Sequence, residues 1–237
     1  MFSKTTVATS YNAALARFLK TVFNYMSGGV ALSGLAAYVT LHSNLINIAI
    51  NPAFQIGFFI VWFGFGFFAN NIISKVSTTA GLLMFVAFSI ITGVALSPVV
   101  AQYTASSITT AFFVTSAIFA GMSMFGISSK KSLSGWGSFL SMMGIGLIAA
   151  IVINIVLSLF GVNTAGFSIV ISFLIVPFVS AAVAYEVNTL KETFSQFGQD
   201  AETTSKVVIM SAVSLYTSFV VLFLHILRIL GFIGGND

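Results

Sequence analysis

Apolar residues fill this chain in long unbroken blocks. They neither alternate with polar residues nor recur only every third or fourth position. Seven blocks can be drawn, at about 21–41, 54–74, 78–98, 101–125, 138–160, 165–185 and 207–230. A helix needs roughly 20 predominantly apolar residues to cross a bilayer, so each block is long enough. Backbone polar groups cannot face hydrocarbon unpaired, which makes each block a helix. A lipid-facing barrel strand would be shorter and would alternate. The breaks carry polar or helix-stopping residues: Asn44, Asn47 and Asn51, then Lys75, then Ser97-Pro98, then Lys130-Lys131 with Gly137, then Gly161 to Gly166. Residues 188–206 form the longest hydrophilic stretch and read as a loop. The pattern predicts an all-α membrane protein of seven transmembrane helices. Residues 1–20 are expected to be a cytoplasmic tail, and 21–237 a single transmembrane domain.

Composition agrees with lipid as the solvent. Hydrophobic residues make up 58% of the chain and charged ones 6%, against about a quarter charged in soluble domains. Too few charges remain to cover a water-facing surface. With no cysteine, two histidines and five acids, neither disulfides nor a resident metal is expected, and no cofactor is implied. Residues 1–20 lack the apolar core of a signal peptide, and the first apolar run is long enough to span.

Charge fixes an orientation. Numbering the breaks alternately from the N-terminus puts Lys4, Arg17, Lys20, Lys75, Lys130, Lys131, Lys191 and Lys206 on one side. Only Arg228 is discordant, at the end of the last run. Basic residues accumulate on the cytoplasmic face. The N-terminus is therefore expected in the cytoplasm and the C-terminus outside. The net charge of +4 reflects this topology, and the basic residues are too scattered for a nucleic-acid footprint. The expected partner is the lipid bilayer.

A few polar residues sit where lipid would not tolerate them unaided. Glu186 lies at the cytoplasmic end of the sixth run. A carboxylate near hydrocarbon is costly and usually faces the bundle interior. Two readings stay open: a proton-sensitive latch or cation ligand, and a solvated interfacial residue. On the seventh run, Ser211, Ser214, Ser218 and His225 fall within roughly a 60° arc, following Thr204 on the same face. Such a stripe places the helix inside the bundle, toward a partner helix or a narrow polar path. Each serine alone is explained by bonds across helices or to its own backbone. His225 is a titratable candidate or a hydrogen-bonded packing residue. Asn154, in the fifth run, is a pore-lining candidate, with an interhelical hydrogen bond as its simpler role. Paired glycines such as Gly28-Gly29 and Gly144-x-Gly146 permit close helix approach. No HExxH or GxSxG pattern and no nucleophile–base pair appears, so no catalytic residues are assigned and an enzyme fits least. A secondary transporter fits less well, because no internal repeat is visible.

Specific motifs then stand in order. Gly93-Val94-Ala95-Leu96-Ser97-Pro98 is followed by Tyr103-Thr104-Ala105-Ser106-Ser107-Ile108. Gly121-Met122-Ser123-Met124-Phe125-Gly126 and Lys130-Lys131-Ser132-Leu133-Ser134-Gly135 come next. Ala184-Tyr185-Glu186, Ser214-Leu215-Tyr216 and Leu227-Arg228-Ile229-Leu230-Gly231 complete the set. Over most of the chain after residue 14, these resemble the bacterial Bax inhibitor-1 (transmembrane Bax inhibitor motif) family. The resemblance implies a bacterial inner-membrane protein with six helices around a central seventh. It also implies a pH-sensitive calcium leak, with calcium as permeant ion. In that mechanism an acid on the sixth helix and one on the seventh share a proton at a cytoplasmic gate.

This chain departs from the pattern at the gate. The first acid is Glu186, and the second position is Ser218. A single-carboxylate gate of Glu186 and Ser218 is what remains. The same glutamate–serine pairing resembles a branch whose members bind and modulate a membrane-anchored AAA protease. Two functions are therefore carried forward: a cation leak with a simplified gate, and a modulator of that protease acting by protein–protein contact in membrane-protein quality control.

Overall fold

The computed structural model describes residues 2–129, 132–197 and 201–235. Lys130 and Lys131, used above in the charge pattern, and residues 198–200 of the hydrophilic stretch lie outside them. The described residues form eight helices and no strand: α1 (Phe2–Leu41), α2 (Ile46–Ala49), α3 (Pro52–Ile73), α4 (Thr78–Val100), α5 (Ala105–Ser128), α6 (Trp136–Leu159), α7 (Ala165–Phe197) and α8 (Ala201–Ile233).

The breaks have physical causes. Asn51 caps α3 by accepting from Ala53 N–H at 2.9 Å, with Pro52 opening the helix. Ser77 and Thr104 cap α4 and α5 in the same way, accepting from Ala80 N–H and Ser107 N–H at 3.3 and 3.1 Å. After α6, Val162 N–H reaches Leu157 carbonyl and Gly161 N–H reaches Ser158 carbonyl, at 3.1 and 3.0 Å. This is the Schellman closure, and it requires the positive φ of +78° that Gly161 adopts. Pro98 does not end α4, contrary to the sequence expectation. Its missing N–H would have met the Val94 carbonyl, and the Ser97 hydroxyl donates there instead at 2.8 Å.

Two further expectations are corrected. The stretch 188–206 is not a loop: α7 runs on to Phe197 and α8 starts at Ala201. Leu190 and Phe194, one turn apart, are both buried. The Phe194 ring lies 5.8 Å from that of Tyr11 and 5.0 Å from that of Phe18. An apolar stripe inside polar sequence carries the helix onward. The residues read as a tail also join the first helix, since α1 begins at Phe2 and Phe18 and Leu19 are buried.

The protein is an all-α membrane protein. Each of the seven apolar runs lies largely within one long helix, and α2 is an extra turn inside the first polar break. Among the described residues, five helices are long and apolar enough to cross a membrane, the shortest stretches being Thr78–Val100 in α4 and Trp136–Ser158 in α6. α3 is 22 residues long, and Pro52–Gly66 is apolar within it. Burial differs sharply among the five: 56% of the apolar window of α8 is buried, but only 11% of that of α6. The exposed face of α6 carries Phe139, Met142 and Ile145, as lipid contact demands.

The helices fall into two compact units. One comprises Met1–Gln102 with Leu190–Thr217, the other Tyr103–Thr189 with Ser218–Asp237. In the first, α1 packs along α4. A Cβ at Gly93 of α4 would collide with the Ser33 carbonyl oxygen of α1. Tyr216 is fully buried there, its hydroxyl 2.6 Å from Ser33 Oγ, and Ser33 also reaches the Ser89 carbonyl at 2.7 Å. In the second unit α5, α6, most of α7 and the end of α8 pack together, and this unit holds the candidate site.

Candidate functional site

Because α7 continues past residue 185, Glu186 sits inside a helix and not at its end. Helical spacing points residues 184, 187 and 188 one way and 186 nearly the opposite way. Ala184 and Val187 lie against α5. A Cβ at Gly126 would come within 2.5 Å of the Ala184 carbonyl oxygen and 3.1 Å of Val187 Cβ, so glycine permits this approach. Tyr185 lies on α6, its hydroxyl 2.8 Å from where a Cβ of Gly137 would stand.

Glu186 is left to face α8. Ser218 Oγ lies 3.2 Å from Glu186 Oε1 and 3.3 Å from Oε2, so the one hydroxyl proton straddles the carboxylate. Both side chains are half-buried. Glu186 also borders a cleft of about 640 Å³ lined by Ser134, Ser138, Ser141, Ala182 and Tyr185. Ser138 and Ser141, three apart on α6, with Ser134 in the turn just before it, give the cleft a hydroxyl wall.

The other candidates have separate partners. Ser211 donates to its own helix at the Val207 carbonyl, 2.7 Å away. Ser214 is exposed. His225 Nδ1 is 3.0 Å from Ser172 Oγ of α7. Asn154 of α6 exchanges hydrogen bonds of 3.0 and 3.2 Å with Ser168 of α7. Glu186 and Ser218 thus meet, whereas His225 and Asn154 each tie to a different turn of α7. Among the described residues no group of three or more His, Asp or Glu could hold a metal ion.

Two arrangements escaped the sequence reading. One is the Tyr216–Ser33 contact, whose only signal is the small-residue spacing Gly29-x-x-x-Ser33. The other is Asn188, read above as the first residue of a loop. Its side chain is buried, accepting from Leu133 N–H at 2.9 Å and donating to the Gly126 carbonyl at 3.2 Å. The signal was an amide two residues beyond a membrane carboxylate.

A family model described as "Inhibitor of apoptosis-promoting Bax1" matches residues 15–235. The chain belongs to the Bax inhibitor-1 family. Relatives align along nearly their whole length. A Caulobacter vibrioides protein is 33% identical over 245 residues, covering 96% of this chain and 92% of the relative. A Borreliella burgdorferi protein is 30% identical over 217 residues, 91% of each chain. The Escherichia coli inner membrane protein YbhL is 30% identical over 222 residues, covering 92% of this chain and 93% of its own. In this Bax inhibitor-1 protein, the helix pair that carries Glu186 and Ser218 brings them into hydrogen-bond contact.

Proposed function

We propose that the protein is a pH-sensitive cation leak, with calcium as the permeant ion, gated by the Glu186–Ser218 pair. In this reading it lies in a bacterial inner membrane, crosses it seven times and keeps its N-terminus in the cytoplasm. The observation that carries the reading is the Ser218 hydroxyl held within 3.3 Å of both Glu186 oxygens, linking α7 to α8 beside a polar cleft.

The sign follows from the chemistry of that bond. An ionised carboxylate accepts the Ser218 proton in a charge-assisted bond, stronger than a neutral one. Protonation removes the charge and weakens the strap between the helices. The leak therefore rises as pH falls and shuts as pH rises.

Calcium flux into proteoliposomes tests this. Wild type should leak more at acidic than at alkaline pH. Glu186→Gln keeps the shape but carries no titratable group, so its flux should be flat with pH. Ser218→Ala removes the strap and should raise the alkaline leak toward the acidic level. A Glu186→Gln profile that tracks wild type would remove Glu186 as the sensor. No flux from folded protein would favour the second reading, contact with a membrane-anchored AAA protease. That reading draws on Ser218 standing where the leak mechanism expects a second acid. Co-purification with the protease would then decide it.

A further inference from the structure

Asn188 hydrogen-bonds to two different elements of its unit. Its Nδ2 donates to the Gly126 carbonyl, 3.2 Å away in the last turn of α5. Its Oδ1 accepts from Leu133 N–H, 2.9 Å away in the segment leading into α6. Carbonyls in a helix's last turn lack intrahelical partners, so the amide caps α5 while it holds that segment. The side chain is 2% exposed, and Leu133 is buried beside it.

Asn188 is two residues from Glu186 on the same helix. At 100° per residue, Ala184, Val187 and Asn188 occupy roughly a 100° arc, and Glu186 points about 150° from the centre of that arc. One face of this turn is committed to α5 through Gly126 and to the Leu133 segment. The opposite face presents the carboxylate to Ser218. Rotating α7 about its axis so as to swing Glu186 away from Ser218 would break both Asn188 bonds and leave a buried carbonyl and a buried N–H unpaired.

We propose that Asn188 is the positioning residue of the gate: it fixes the rotation of α7, and through it Gly126 and Leu133 set where the Glu186 carboxylate stands and at which pH it releases Ser218. The inference rests on the Glu186–Ser218 gate reading, and its test is chosen to be readable without ion flux.

The experiment follows the Glu186 carboxyl directly, by infrared spectroscopy of the reconstituted full chain as pH is varied. The Glu186 band is identified as the one lost in Glu186→Gln. In Asn188→Ala its midpoint should move by at least ~0.5 pH unit, about a threefold change in the protonation equilibrium. Ile175→Ala is the control: it opens space at a buried α7 position remote from the clamp. It should lower thermal stability and leave the midpoint unchanged. If Asn188→Ala does not fold, Asn188→Gln decides the same question, because one added methylene displaces the amide from both partners. An unmoved midpoint in a folded Asn188 variant would overturn the proposal, as would an equal shift in Ile175→Ala. Absence of calcium flux in wild type would refute the leak while leaving the band shift to be read on its own.

Discussion

The contact between Glu186 and Ser218 sets what a single side chain can change. Ser218 Oγ stands 3.2 Å from one carboxylate oxygen and 3.3 Å from the other. An aspartate at 218 would bring a second carboxylate to nearly the same place. Two acids that close cannot both ionise cheaply and titrate as a pair, in two steps. Ser218→Asp should therefore add a second step to the infrared titration, and flux should respond over a wider pH range than in wild type. A folded Ser218→Asp protein with one unchanged step would mean that residues 186 and 218 do not face each other in the bilayer. Glu186 was legible in the sequence because a charge at the edge of an apolar run stands out. Its contact with Ser218 was legible only through the family resemblance, since four residues of the seventh run share the polar stripe. Asn188 was not legible at all. An amide beside polar residues looks like loop, and its value comes from Gly126 and Leu133, 62 and 55 positions away.

Two of the close helix contacts in this protein are made where a side chain is absent. Gly126 admits the backbone of α7, and Gly93 admits that of α1. Gly146 of α6, by contrast, has nothing within 4 Å of where a Cβ would stand. Alanine should act oppositely at these sites. Gly126→Ala and Gly93→Ala press a methyl into backbone, so each should cost ~1–3 kcal/mol or more. Gly146→Ala restricts the unfolded chain without a clash and should gain ~0.4–1 kcal/mol. Thermal unfolding in detergent measures both signs. A neutral Gly126→Ala would show that α5 and α7 can separate at that turn. Sequence alone marked Gly146 as a possible close approach and gave no such role to Gly93 or Gly126, because the contact depends on the neighbouring helix. The long helices themselves were legible from hydropathy. The extension of α7 beyond its apolar run was not: two buried residues, Leu190 and Phe194, outweigh the polar neighbours that made 188–206 look like loop.

At the scale of the whole molecule the open quantity is how many helices cross the bilayer, and in which direction. Among the described residues five helices meet the length and composition for crossing, and α1 and the 22-residue α3 must also cross for the count to reach seven. The charge pattern argues that they do. If α3 did not cross, Lys75 would share a side with the uncharged break at residues 42–51, and the separation of basic residues would collapse. The chain contains no cysteine, so a single introduced thiol is unique. Asn44, Lys75 and Val162 are all exposed, in the α1–α2, α3–α4 and α6–α7 connections. In right-side-out vesicles a membrane-impermeant thiol reagent should label Asn44→Cys and Val162→Cys and leave Lys75→Cys unlabelled until the membrane is opened. Labelling of Asn44→Cys and Lys75→Cys from the same side would take α3 out of the crossing set. Labelling of Lys75→Cys alone would keep the count and invert the orientation. The Glu186–Ser218 pair would then lie toward the outer face, and external pH, not cytoplasmic pH, would set the leak.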